Sequence, residues 1–217
     1  MQDFLTVTGM VTSVFPQNEY DRRIVLLTRE RGKITAFVKG AKRQGSRFCA
    51  TTDLFAFGTF DLFVGKNSYN VQNVEIQNYF EFLRDDCEAS FYSMYFAELV
   101  DYYALENNDE TLLLLLLYRS LQGLKSQKLQ NKVVRRIFEI KLFSLEGEMI
   151  PIEKAGSFDE KVFKACDYIY ESTIEKLFNL PVDEALLNSL SDIADYERKH
   201  LVDRPLKSLD MLEMMTS

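Results

Sequence analysis

The residues of this chain best equipped for chemistry are cations. Along FVKGAKRQGSR, residues 37–47, Lys39, Lys42, Arg43 and Arg47 follow one another with no acid between them. Extended back to Arg29, the run holds seven Lys/Arg, Arg31 and Lys33 among them, against one acid, Glu30. Gly40 and Gly45 free the backbone to approach a partner closely, and Ser46 and nearby amides can add hydrogen bonds to phosphate oxygens. A one-signed, glycine-punctuated segment of this kind attracts polyanions. With about five of these cations on phosphates, log K falls against log salt with a slope near −3.5 on a single strand. Tyr20, Phe37, Phe48 and Tyr69 add rings on which bases can stack, although rings in strands more often serve a core. The plainer alternative is a loop that is merely solvated.

Nothing else has catalytic spacing. The single histidine, His200, stands near the end of a helix-patterned segment, where an imidazolium beside the helix C-terminus is an ordinary structural arrangement. Neither GxGxxG nor GxxxxGK followed by Ser or Thr occurs, and no nucleophile elbow, HExxH or paired-carboxylate spacing stands out. A non-enzymatic protein is expected. Cys49, Cys87 and Cys166 are odd in number, far apart and without a CxxC pair, which excludes a disulfide framework and a four-cysteine zinc site. Buried, reduced thiols and no metal or cofactor are expected. A second cationic group, Lys132, Arg135 and Arg136, adjoins Val133, Ile137 and Phe138 and fits an acidic, hydrophobic peptide.

The elements that must position these residues have two grammars. Residues 1–80 hold ten Lys/Arg and seven Asp/Glu, net +3, and residues 81–217 hold sixteen and twenty-six, net −10, which sum to the chain's −7. The basic run therefore sits in a positive half of an acidic protein of 217 residues. That half reads as short strands, at 5–15, 22–28, 33–40, 58–65 and 68–76, rich in β-branched and aromatic residues. Turn signals at Pro16-Gln17-Asn18, Arg31-Gly32 and Gly65-Lys66-Asn67 separate them. Five strands with a long loop between the third and fourth fit an OB-fold barrel, and an SH3-like barrel would give much the same pattern.

From Glu81 the apolar period becomes helical, with helices expected at 85–105, 108–124, 132–147, 159–179 and 182–202. The segment TLLLLLLY is apolar nearly all round and belongs inside a bundle. Two domains are expected, 1–79 and 80–217, packed directly on each other near residue 80. The start has an acid at position 3 and no basic region leading into an apolar run, and the longest apolar run spans 112–118, far below the ~20 residues a bilayer requires. A cytoplasmic protein is expected.

Four segments in order carry a family resemblance. NEYDRRIVLLTRERGKITAFVKGAKRQGSR resembles the start of the RecO family of bacterial recombination mediators, including its Lys-Gly-Ala-basic-basic loop. YFAELVDYY (95–103) resembles that family's first long helix, RRIFEIKLFSLEG (135–147) its Arg-Arg-x-Phe-Glu helix, and RPLKSLDML (204–212) its closing segment. The resemblance implies an N-terminal OB-fold and a helical domain, in a protein that binds single- and double-stranded DNA and anneals complementary strands. It also implies joint work with RecR in helping RecA replace single-strand-binding protein on gapped DNA, in association with the nucleoid. By the same resemblance Lys39, Lys42, Arg43 and Arg47 fall on the DNA-contacting loop. Arg135 and Arg136 fall on the helix that captures the acidic C-terminal tail of single-strand-binding protein. Many members carry a four-cysteine zinc module after the equivalent of Gly147; here only Cys166 remains of it, so no zinc and a short helical replacement are expected. The competing classes are a protein-interaction adaptor and an RNA-binding OB protein, since phosphate contacts do not separate RNA from DNA.

Overall fold

The alternation in RRIVLLT and GKITAFV decides which way two neighbouring strands face. In this computed structural model, which describes residues 3–66, 68–126 and 128–216, Ile24, Leu26, Ile34, Ala36 and Val38 are buried, while Arg23, Val25, Lys33, Thr35 and Phe37 keep some exposure. A period of two with one apolar face is what a curved sheet around a core requires. The strands are β1 (Asp3–Pro16), β2 (Arg22–Thr28), β3 (Gly32–Val38), β4 (Phe57–Val64) and β5 (Tyr69–Asn78). They close into a barrel in the order β1-β2-β3-β5-β4, with β1 paired to β4. Every pairing is antiparallel except β3 with β5, which meet in parallel through Ala36↔Tyr69 and Phe37↔Asn70. That order with a parallel closure is the OB-fold, and it resolves the ambiguity with an SH3-like barrel. Of the expected third turn, Asn67 lies outside the described residues.

Val7, Val11, Ile24, Leu26, Ile34, Val38, Phe60 and Leu62 fill the barrel. The wall is tight: a Cβ on Gly58 would stand 2.1 Å from Glu75 O, so glycine is required where β4 crosses β5. A short helix, α1 (Phe48–Thr51), lies within the expected long loop and closes the β3–β4 connection. The Arg22 guanidinium ties it down, Nη1 donating to Cys49 O at 2.7 Å and to Asp53 Oδ1 at 2.8 Å.

The helices are α2 (Cys87–Tyr103), α3 (Thr111–Lys125), α4 (Asn131–Leu145), α5 (Glu160–Glu171), α6 (Glu184–Leu201) and α7 (Lys207–Thr216). Asp86, Asp159 and Asp183 each accept an N–H at the start of α2, α5 and α6, which fixes where those helices begin. By internal packing the chain forms two compact units, Met1–Phe82 with Asp101–Leu114, and Leu83–Val100 with Leu115–Ser217. The end of α2 and the start of α3 thus group with the strands. No helix of the described residues is long and apolar enough to cross a membrane.

Two expectations need correction. The helix expected at 159–179 ends at Glu171, because the Lys141 ammonium of α4 draws Tyr170 O and Ser172 O to 2.7 and 2.9 Å, and Ser172 turns extended with ψ 143°. A single 3₁₀ turn, Leu177–Asn179, follows. The segment after Val202 is helical as α7, anchored where Glu98 accepts the N–H groups of Lys207 and Ser208. Only Cys166 is buried; Cys49 and Cys87 are exposed, Cys49 on α1 and Cys87 in the first turn of α2, where neither side chain has a core to enter.

The helical core contains two carboxylates in opposite situations. Glu139 of α4 is fully buried, and burial alone would raise its pKa; Arg135 and Arg136 beside it, with Tyr95 donating to it, bring it down to about 2. Glu197 of α6 is 1% exposed, and neither of its oxygens accepts a hydrogen bond; the Ile150 backbone favours its charge but falls short of bonding geometry. Burial pushes Glu197 up to about 7, and it faces Glu139, Cys166 and Tyr170, none of which supplies a positive charge.

The two signs are opposite. The stability from ionised Glu139 is present above the ordinary value of 4.5 and is lost as pH falls through about 2. Glu197 is neutral in the fold until about pH 7, so its stability is lost as pH rises from 4.5 to about 7. The Glu197→Gln variant should therefore be more stable than the parent above pH 7, by about 2–3 kcal/mol, and lose less stability between about pH 5 and 8. Urea melts at both ends of that range check this, and an unchanged pH dependence would contradict it.

Candidate nucleic-acid interface

The β3 exit becomes a surface because the loop after it is bonded to the turn between β1 and β2. Gly40 has φ +67°, open to glycine and strained for other residues, and its N–H donates to Asp21 Oδ1 at 2.8 Å. Lys42 N–H donates to Tyr20 O at 2.9 Å. Within the loop, Arg43 N–H reaches Gly40 O and Ser46 N–H reaches Arg43 O, so residues 40–46 form successive turns. The Gly40 N–H, then Asn18, then Arg43 and Lys39 hold the Asp21 carboxyl below the usual carboxylate range.

Lys39, Lys42, Arg43 and Arg47 are all exposed, and among the described residues none of the four is ion-paired to a carboxylate. Lys42 and Arg43 lean on the β1–β2 turn. The Lys42 ammonium lies 3.5 Å from Asn18 O, and the Arg43 guanidinium sits 5.5 Å from the centre of the Tyr20 ring. Arg47 points toward β5, donating to Gln72 O at 2.8 Å with its guanidinium 4.8 Å from the Phe48 ring. Arg23, which sequence reasoning passed over, repeats the arrangement at 4.6 Å from Phe15. Three arginines thus lie over three rings around one end of the barrel, and two of those rings, Phe15 and Tyr20, are at least 40% exposed. A guanidinium over a ring is held flat, with its donors directed outward for phosphate and its plane open to a stacked base. The signal for Arg23 was available: it alternates with buried Ile24 and stands opposite Phe37.

Arg31 and Lys33 do not join this group. They lie at the other end of β3, and six residues of strand place Lys33 about 20 Å from Lys39. Arg31 is exposed in the β2–β3 turn. Lys33 is committed locally, its ammonium 2.6 Å from Asp101 O and 3.3 Å from Asp101 Oδ1. Of the rings considered for stacking, Tyr20 is open, while Phe48 and Tyr69 are half-buried against the barrel core and Phe37 is half-buried.

The second cationic group divides differently. Lys132 is exposed in the first turn of α4, beside a cavity of about 430 Å³ lined by Leu124, Leu129, Asp86 and Glu88 among others. Arg135 and Arg136 turn inward. Arg135 Nε donates to Glu139 Oε1 at 3.0 Å, with the guanidinium 5.0 Å from the Tyr95 ring. Arg136 donates to Glu139 Oε2 at 2.9 Å, to Asp195 at 2.9 and 3.1 Å, and to Ser191 Oγ at 3.0 Å. Arg198 Nη2 donates to the same Asp195 at 3.2 Å, so three guanidiniums meet two carboxylates and the network keeps one net positive charge. His200 stacks on Tyr196, its Nδ1 2.7 Å from Tyr196 O, on the last turn of α6. Among the described residues no group of three or more His, Cys, Asp or Glu is placed to hold a metal ion.

Comparison with known proteins agrees with this architecture. The sequence model described as recombination protein O N terminal matches residues 1–80, which is the barrel, and that described as recombination protein O C terminal matches residues 84–154. The DNA repair protein RecO of Acetivibrio thermocellus is 28% identical over a 245-residue alignment that covers 98% of this chain and 98% of that protein. The DNA repair protein RecO of Clostridium novyi is 34% identical over 146 residues, 67% of this chain and 57% of the relative. That of Symbiobacterium thermophilum is 37% identical over 141 residues, 65% and 56%. With the barrel and the following helices both matched, and a relative aligned nearly end to end, the chain belongs to the RecO family of DNA repair proteins.

Proposed function

We propose that this chain is a cytoplasmic, nucleoid-associated recombination mediator that acts without catalysis. It holds single- and double-stranded DNA on its barrel and anneals complementary strands. With RecR, it helps RecA load on gaps coated by single-strand-binding protein. The observation that carries the DNA reading is the set of arginine–ring pairs, Arg23 on Phe15, Arg43 on Tyr20 and Arg47 on Phe48, beside Lys39 and Lys42 on a bonded loop. Charge without base-edge selectivity suits annealing, because it screens strand repulsion and leaves the bases free to pair. The barrel, residues 1–79, is the proposed DNA-binding domain, and residues 80–217 the proposed partner-binding domain. Arg31 and Lys33 belong to the proposed DNA surface as a second, distant contact. No zinc is proposed.

For the acidic C-terminal tail of single-strand-binding protein, the proposed site is Lys132, Arg135 and Arg136. Lys132 with Leu124 and Leu129 gives a carboxylate and an apolar side chain somewhere to bind, while Asp86 and Glu88 oppose negative charge. A peptide carboxylate reaches Arg136 by displacing Asp195, whose side chain is 37% exposed.

The combined substitution Lys39→Glu, Lys42→Glu and Arg43→Glu should weaken binding of single-stranded DNA roughly tenfold or more and make the salt slope shallower by about 2. An unchanged slope in a salt-titrated anisotropy assay would move the DNA site elsewhere, and RNA of equal length, run as a competitor, tests the nucleic acid preferred. At the second surface, Lys132→Glu should lower affinity for an acidic C-terminal peptide about threefold or more and leave DNA affinity and Tm unaltered. Equal peptide affinity would remove that surface. Arg135→Ala is a poorer probe, since it removes one of the two guanidiniums that hold buried Glu139 ionised and so lowers stability along with any peptide contact.

A further inference from the structure

One cavity of the barrel unit lies away from the loop cations and has a lining suited to a smaller ligand. It measures about 640 Å³, within the roughly 300–1,000 Å³ of small-molecule sites. Val25 of β2 and Thr35 of β3 belong to the outward-facing set of the sheet and form its floor. Lys66 and Ser68 come from the β4–β5 connection and Tyr69 from the start of β5, while Asp101 and Glu106 come from the segment after α2. That segment is bonded to the strand beside it. Lys33 N–H donates to Leu105 O at 3.0 Å, Asn107 N–H to Arg31 O at 2.9 Å, and Gly32 and Glu106 form a β-bridge. The cavity wall is therefore part of the barrel's own hydrogen-bonded structure.

A general phosphate-binding surface has no use for two carboxylates. Here they stand with a lysine, a tyrosine ring and a hydroxyl around one concavity, a mixed set that matches the parts of a nucleotide. We infer that this cavity receives one unpaired nucleotide of a bound strand, with guanine preferred. Lys66 meets the phosphate, the Tyr69 ring faces the base, and Glu106 accepts from the base edge. Asp101 holds Lys33 at 3.3 Å and with it fixes that side of the site. Guanine is the base favoured by this chemistry, because its adjacent N1–H and N2–H donors match the two oxygens of one carboxylate. Thymine, whose single N–H lies between two carbonyls, is the poorest match.

The inference rests on the DNA reading above and adds a base preference that the cationic loop cannot supply. Two strands of about 15 nucleotides, one all thymine and one with a single central guanine, separate the two. Wild-type protein should bind the guanine-containing strand about tenfold more tightly, the range of one bidentate base contact. Glu106 is exposed, so Glu106→Gln leaves the fold intact and should abolish the preference while the all-thymine affinity stays the same. Lys66→Ala should weaken both strands alike and lower the salt slope by about 0.7. Equal binding of the two strands by wild-type protein, or a preference that survives Glu106→Gln, overturns the inference and leaves the DNA reading standing. Failure of wild-type protein to bind either strand overturns both.

Discussion

Two hydrogen bonds, from the Gly40 N–H to the Asp21 carboxylate and from the Lys42 N–H to Tyr20 O, make the difference between a charged loop and a charged surface. Repelling cations on a free chain spread apart, and ordering them for each ligand would consume binding energy. Bonded to the β1–β2 turn, the loop instead presents Lys39, Lys42 and Arg43 together before any strand arrives. The barrel makes this possible, because β2–β3 pairing puts Arg22 opposite Val38 and so brings the β1–β2 turn alongside the start of the loop.

The helical unit handles charge by the opposite strategy. Where the barrel leaves cations exposed, α4 pairs its own internally: Arg135 and Arg136 enclose Glu139, and Asp195 of α6 joins Arg136 to Arg198. A buried network of this kind specifies one arrangement of helices more than it adds stability, because desolvation offsets much of the attraction. Glu197 has no such partner, and its ionisation places the loss of stability near neutral pH. Exposed charge for a polyanion and paired charge for internal register thus occupy different units of the chain.

Much of this is legible in the sequence. Alternation in β2 and β3, and the glycines and polar residues between strands, locate the barrel strands to within two residues at every end. Local patterns missed what depends on distant residues. Serine and threonine at 172–173 only weaken a helix, and it is Lys141, from another helix, that ends α5 there. The i,i+3 and i,i+4 spacing of Arg136 and Arg135 to Glu139 was visible, but Asp195 lies 59 residues beyond Arg136, so adjacent arginines read as a surface pair. The six basic positions from Arg31 to Arg47 likewise read as one patch, although a strand between Lys33 and Lys39 separates them by about 20 Å. The cavity beside Lys33 could not be read at all, since its wall comes from 101–106, a segment patterned as the end of a helix.

The central claim is that polyanionic strands bind at a surface the fold has already assembled. Amide hydrogen exchange across the chain, with and without single-stranded DNA, tests it most directly. The account predicts measurable protection of the Lys42, Arg43 and Ser46 amides in the free protein, further slowing when the strand is added, and loss of that added protection at high salt. Loop amides that exchange freely and do not respond to DNA, with protection appearing only in the helical unit, would contradict it.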